Sequence, residues 1–421
     1  MSEETVEQNI PQADTSSQRV RKFSISSLPA IPVILGIVVL LILIVVGFSL
    51  FAKSKPNPQV VKYVTSGNQA LKSGDYSKAQ EDFLKAYDLE KNNPAVEASL
   101  INSYSLAGNQ NGTENDQLKK SSTYIKDALK SNPNSVPVNL AAGYAYETAG
   151  DYEKAYQYYK KSTDIDPNSS DAWFNLGHAS QFLGKESDAK KYYDKSYNLN
   201  PKNPMVNMAR ANYQFSEGKL DDAFNSYKTA ANELGTSNAT SAEALAGAST
   251  VLLNKNNFAY ISQASAIAKQ AVDADPSFSP ALGLYGFTLY LKGDKLGAVK
   301  YLKMAINANP KITKNYSYLA SIYFTNKDYE NAIMYQKEAV KNVELDNTIF
   351  SQKARIFNKS QYLYNLARYH ALSSNAEDAI VSLTQAVEIN PKIKIQIKNE
   401  VKYANTFEAI KNDPKFISLI N

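Results

Sequence analysis

The sequence contains no cysteine. Disulfides, cysteine-ligated zinc, iron–sulfur clusters and thiol catalysis are all excluded, and so is the lipid attachment of a bacterial lipoprotein. A chain without cysteine survives in any redox compartment, so the compartment stays open. There are only two histidines, His178 and His370, and one tryptophan. Neither histidine has a second ligand at metal spacing, and no His-Glu-x-x-His helix is present. No metal or cofactor is expected. Gly184-Lys185 lacks the rest of a phosphate loop, because residue 179 is Ala and residue 186 is Glu. No nucleophile elbow or kinase set occurs. The carboxylates sit in turns and on solvated faces, where capping explains them. Catalysis is therefore not expected, and no catalytic residue is nominated. Charge of one sign is not concentrated either. The net charge is +5, from 46 Lys+Arg against 41 Asp+Glu, with no long basic run. That does not call for nucleic acid as a partner.

One long uncharged run is present. Val33–Phe51 reads VILGIVVLLILIVVGFSLF, and sixteen of its nineteen residues are Val, Ile, Leu or Phe. About 20 apolar residues cross a ~30 Å hydrocarbon core, and at about −0.3 to −0.6 kcal/mol each such residues favour insertion by several kcal/mol. Residues 28–52 are expected to form a transmembrane helix in contact with the lipid bilayer. A cleaved signal peptide has a shorter apolar region and small residues at its end; here Leu50-Phe51-Ala52 precedes Lys53. Charges flanking the run are balanced, with Arg19, Arg21 and Lys22 before it and Lys53, Lys55 and Lys62 after it. A short polar N-terminus ahead of a single span usually stays cytoplasmic, which sends the rest of the chain outward. Residues 1–27 are expected to be disordered, and 53–59 to be a linker.

Beyond the run, proline recurs with a period. Pro133, Pro167 and Pro201 are 34 residues apart, as are Pro276 and Pro310. A period of 34 is that of a helix–turn–helix repeat. Residues 171–184 read DAWFNLGHASQFLG and are followed by KESDAKKYYDKSYNLNP. The turn Gly150-Asp151-Tyr152…Ala155 recurs at Gly74-Asp75-Tyr76, Gly218-Lys219-Leu220, Gly293-Asp294-Lys295 and Lys327-Asp328-Tyr329. Gly before Asp ends one helix in a left-handed conformation, and Asp caps the next. Gly143, Gly177 and Ala155, Ala189, Ala223, Ala298 let paired helices approach closely.

This pattern resembles the tetratricopeptide repeat family, whose signature positions are occupied by Trp173, Leu176, Gly177, Ala189, Tyr193 and Pro201. The resemblance implies an all-α fold: a right-handed superhelical solenoid of helical hairpins, preceded by the transmembrane helix. Nine repeats are placed over 60–393, at 60–93, 94–135, 136–169, 170–203, 204–240, 241–278, 279–312, 313–346 and 360–393. Residues 110–116 read as an exposed insertion, 235–241 as a break and 347–359 as an irregular connection. The ending at 394–421 resembles that of bacterial members of the family. Phe407, Ile410, Phe416, Ile417 and Ile420 are expected to cap the open apolar end of the last repeat.

In this family the first helix of each repeat lines a concave groove that binds proteins or peptide segments. Carried onto this chain, the groove residues are Leu140, Tyr144 and Glu147; Phe174, His178, Gln181 and Phe182; Met205, Met208, Asn212 and Phe215; Phe287 and Tyr290; Ser321 and Phe324; Tyr364 and Arg368. The lining is aromatic and mostly neutral. It lacks the Lys, Asn and Arg set with which chaperone-binding members grip a carboxylate, so an apolar segment suits it better. About half of these aromatics are expected to pack the core instead. The function expected is a membrane-anchored scaffold or adaptor for a protein assembly. The alternatives are self-assembly into a homo-oligomer, or a regulatory subunit of a membrane enzyme.

Overall fold

The computed structural model describes residues 57–111, 116–235, 239–255, 257–346, 348 and 352–420. The expected transmembrane helix at 28–52 lies outside the described residues, as do 1–27 and 53–56. Among the described residues no helix is long and apolar enough to cross a membrane.

The described chain is helical, with twenty α-helices and one short 3-10 turn, and divides into two units between Gly235 and Thr236. The first unit holds five hairpins: α1 (Pro58–Lys72) with α2 (Tyr76–Leu89), α3 (Pro94–Asn111) with α4 (Asp116–Ser131), α5 (Val136–Thr148) with α6 (Tyr152–Ile165), α7 (Ser170–Phe182) with α8 (Glu186–Leu199), and α9 (Pro204–Ser216) with α10 (Leu220–Leu234). The second holds four: α11 (Ala239–Asn254) with α12 (Ile261–Ala274), α13 (Ser279–Leu291) with α14 (Lys295–Ala308), α15 (Thr313–Thr325) with α16 (Tyr329–Asn342), and α17 (Gln352–Leu372) with α18 (Ala376–Ile389). It closes with α19 (Ile393–Tyr403) and α20 (Pro414–Ile420).

Local chemistry sets the helix ends. Asp151 caps α6, its carboxylate accepting the amide of Lys154 at 3.1 Å, and Asp75, Asp294 and Asp328 repeat the device on α2, α14 and α16. Each first helix up to α9 that follows a proline turn starts on Ser or Asn: Ser135, Ser169 and Asn203 accept amides from α5, α7 and α9. Between paired helices Gly150 has φ +79°, a conformation glycine takes cheaply. Lys327 and Ser374 adopt it too, at φ 62° and 63°, where a Cβ makes it costly.

Within each unit the partners of a hairpin pack most extensively. First helices also pack on the first helix of the next hairpin (α1 on α3, α3 on α5, α5 on α7; α11 on α13, α13 on α15), more than second helices do on one another. First helices therefore lie on the inner side of each unit. Gly143 and Gly177 show why small residues sit at the helix contacts: a Cβ on Gly143 would lie 2.5 Å from Cε1 of Tyr159, and one on Gly177 would lie 2.9 Å from the ring of Tyr193.

Several boundaries differ from the sequence reading. The stretch read as linker already turns helical at Pro58, because Asn57 accepts the Gln59 amide and proline suits the first helical position. Within the stretch read as an insertion, α3 continues to Asn111 and α4 starts at Asp116; α11 starts at Ala239, inside the stretch read as a break. The connection read at 347–359 is helical from Gln352. Its first turn is held by Arg355, whose Nη1 donates to the carbonyls of Val343 and Glu344 at 2.8 and 3.0 Å. Asp346 lies buried beside it and caps α15 from a distance, accepting from the amide and hydroxyl of Thr313 at 2.8 and 2.7 Å. Of the expected capping residues, Phe407, Ile410 and Phe416 are buried in one cluster with Leu383 and Ile397, and Ile420 packs against it. Ile417 is exposed.

Candidate protein-binding face

In the first unit, α5, α7 and α9 carry the nominated residues, and their polar members share one device. Tyr159, Tyr193 and Tyr227 stand 34 residues apart on the second helices, and their rings are buried. Each hydroxyl passes through its hairpin and donates to an inner residue of the partner helix. Tyr159 donates to Glu147 Oε2 at 3.1 Å, Tyr193 to Gln181 Oε1 at 3.1 Å, and Tyr227 to Asn212 Oδ1. A buried phenol needs such a partner, and the partner loses rotamer freedom in return. The sequence reading had Tyr193 only as a signature position of the repeat; the shared spacing of the three tyrosines was the available signal.

Glu147 also bridges hairpins. Its Oε1 lies 3.0 Å from Nδ1 of His178. Burial alone would lower the histidine's pKa, but the Glu147 carboxylate and its hydrogen bond outweigh burial, so it stands above its ordinary value. His178 sits between two aromatic rings, Phe174 at 6.2 Å and Phe182 at 5.0 Å. Phe182 stacks flat on Tyr152 at 4.5 Å and still leaves 46% of its surface exposed. Nearby, the Tyr144 hydroxyl is buried with no hydrogen-bond partner, and burial drives its pKa up. Asp171, not nominated from the sequence, accepts from Asn203 Nδ2 at 3.3 Å, and burial pushes its pKa up to about 6.

The apolar nominees behave differently. Leu140, Phe174, Met205, Met208 and Phe215 are all buried. Leu140 packs with Tyr159 and Leu176 in the hairpin core. Of the nominees in this unit, those that offer a hydrogen bond or an exposed ring are Glu147, His178, Gln181, Phe182 and Asn212.

In the second unit Phe287 stacks on Tyr318 at 4.2 Å, and Tyr290 is half-buried. Ser321 donates to the Ser317 carbonyl, and its hydroxyl lies 3.4 Å from that of Tyr369. Phe324 stacks on Tyr369 at 4.6 Å under the Arg368 guanidinium. Tyr364 and Arg368 are engaged by the chain itself. The Glu400 carboxylate of α19 accepts from Tyr364 Oη at 3.0 Å, Arg368 Nε at 2.9 Å and Thr406 Oγ1 at 2.6 Å. The cap occupies these two nominees because a half-buried guanidinium gains most from a fixed carboxylate. Among the described residues no three His, Asp or Glu side chains come together as a metal would need.

Family models of the tetratricopeptide repeat match residues 114–170, 147–213 and 314–342. No curated protein matches the chain. Among solved structures, the human IFIT1 dimer with m7Gppp-AAAA is similar in fold at 13% identity, covering 79% of this chain and 82% of that one, with a TM-score of 0.50. Yeast Tom70 is 18% identical over 88% of this chain and 73% of its own, at a TM-score of 0.44. YrrB, a TPR protein with an unusual peptide-binding site, is 17% identical over 45% of this chain and 95% of its own, at 0.36. The chain carries tetratricopeptide repeats, set in an all-α array of hairpins.

Proposed function

We propose that the chain is a non-catalytic scaffold or adaptor that holds a partner polypeptide along its first helices. In this reading the hairpins follow the right-handed superhelical path of their family, and the apolar run at 28–52 ties them to a bilayer. The N-terminus is cytoplasmic and the repeats lie on the other side of the membrane, the usual outcome for a short polar N-terminus ahead of a single span. The observation that carries the reading is the row of Glu147, Gln181 and Asn212, each oriented by a buried tyrosine. Ordering costs already met in the free protein need not be met again on binding. Beside the row stands Phe182, a rigid aromatic of the kind that anchors interfaces. An extended or helical segment with apolar side chains suits such a wall.

The test is photo-crosslinking of the full chain in its own membranes. A benzophenone side chain at Phe182 is compared with one at Lys160, an exposed lysine of α6 paired with Asp164. A discrete adduct with another polypeptide from Phe182 and none from Lys160 supports the reading. Equal adducts from both positions, or none from either, overturns it.

A further inference from the structure

The C-terminal cap has a second face, turned away from the hairpins. In α19, Ile393, Ile397 and Glu400 point inward: the two isoleucines are fully buried, and Glu400 is held by Arg368, Tyr364 and Thr406. Spacings of three and four place Ile395, Lys398 and Lys402 together on the opposite side. Ile395 is 63% exposed and Tyr403 68%, with Val401 exposed on the flank. Lys402 lies over the Tyr403 ring at 4.9 Å. Among the described residues, Lys392, Lys394, Lys398 and Lys402 have no carboxylate within ion-pair distance, in contrast to Lys78, Lys154, Lys160, Lys190 and Lys269 on the hairpins. The only acid on this helix is the inward Glu400. The adjoining α20 adds exposed Lys415 and Ile417.

We propose that this face docks on an anionic lipid surface. Uncompensated lysines interleaved with exposed Ile, Val and Tyr on one side of a helix are the composition of an interfacial segment, the cations meeting headgroups while the apolar groups enter the acyl boundary. A folded acidic partner would be met by pockets and fixed ion-pair geometry, and this face offers loose lysine stems around protruding side chains. The inference does not depend on what the inner face holds.

The absence of cysteine makes a single reporter straightforward. The full chain carrying Ile395→Cys, labelled with a polarity-sensitive fluorophore, is reconstituted into nanodiscs of phosphatidylcholine alone or with phosphatidylglycerol. The proposal expects a blue-shifted, brighter signal only with phosphatidylglycerol, reversed by high salt. Each lysine near such a surface changes binding about fivefold. Lys394→Gln, Lys398→Gln and Lys402→Gln together should therefore weaken the response about a hundredfold. The corresponding glutamate variant should abolish it. Helicity measured by circular dichroism separates loss of docking from loss of the cap. The same emission in neutral and anionic discs overturns the proposal, as does an anionic-disc response that survives charge reversal. A response to soluble polyglutamate as large as that to phosphatidylglycerol overturns it in favour of an acidic polypeptide.

Discussion

Gly143→Ala tests whether the inner row rests on close helix packing. On an exposed helix this change gains about 1 kcal/mol, since glycine is the poorer helix former. Here the new Cβ would meet Tyr159 Cε1 at 2.5 Å and Cδ1 at 2.6 Å, where unstrained carbons need about 3.5–4.0 Å. The ring cannot simply withdraw, because its hydroxyl is bonded to Glu147 and Glu147 to His178. The α5 and α6 helices must part by about 1 Å, an overpacking cost of about 1–3 kcal/mol. The equivalent position two repeats on is Ala211, sixteen residues before Tyr227 as Gly143 is before Tyr159, so alanine is sterically possible where a hairpin is built around it. The net expectation at Gly143 is a loss of up to about 2 kcal/mol, after subtracting the propensity gain. A repeat array does not unfold as one two-state unit, so the assay is hydrogen exchange resolved to α5 and α6. Their amides should exchange faster, by up to about 30-fold, while α1 and α2 stay unchanged. Slower exchange in α5 and α6, the outcome for an ordinary helical glycine, would refute the reasoning.

The two histidines should titrate on opposite sides of 6.5, with His178 above and His370 below, because burial dominates at His370 and Glu147 outweighs it at His178. The His178–Glu147 contribution to stability is then complete below the unfolded value near 6.5 and disappears as the pH rises through the higher folded value; proton NMR with His370→Gln for assignment reads the order, and the reverse order contradicts it. Tyr193→Phe removes the hydrogen bond to Gln181 and should cost about 0.5–1.5 kcal/mol, seen as faster exchange in α7 and α8. Glu400→Ala leaves Arg368 without its carboxylate and frees α19, a loss of about 2–3 kcal/mol for a half-buried charged bond; trypsin should then cleave first at Lys398 and Lys402, and an unchanged digestion pattern would speak against the tie.

The hairpins were legible because their punctuation is local. Proline every 34 residues, Gly-Asp turns and small residues at helix contacts each act within a few positions. The Lys327-Asp328-Tyr329 turn was still recognisable by its Asp, although Lys327, like Ser374, takes the left-handed conformation without glycine. The reading failed at 347–359, where α17 begins at Gln352 with no proline ahead of it, held by Arg355 reaching back to the carbonyls of Val343 and Glu344 just past α16. The candidate face was less legible for a different reason. A repeat position says which way a side chain starts, but neighbours decide whether it stays available. Met205 and Met208 are buried although they lie on the same helical face as the half-buried Asn212. Tyr364 and Arg368 are taken by Glu400, more than thirty residues further on, and no period in the sequence announces that partner. The tyrosines behind Glu147, Gln181 and Asn212 lie on the second helices, outside the first-helix positions from which the groove residues were nominated.

The most direct measurement is hydrogen exchange of the full chain, alone and with the polypeptide that Phe182 captures. If the inner face is the binding wall, added protection falls on α5, α7 and α9 and leaves α6, α8 and α10 as they were. Protection centred on those second helices or on the turns between hairpins would contradict the account.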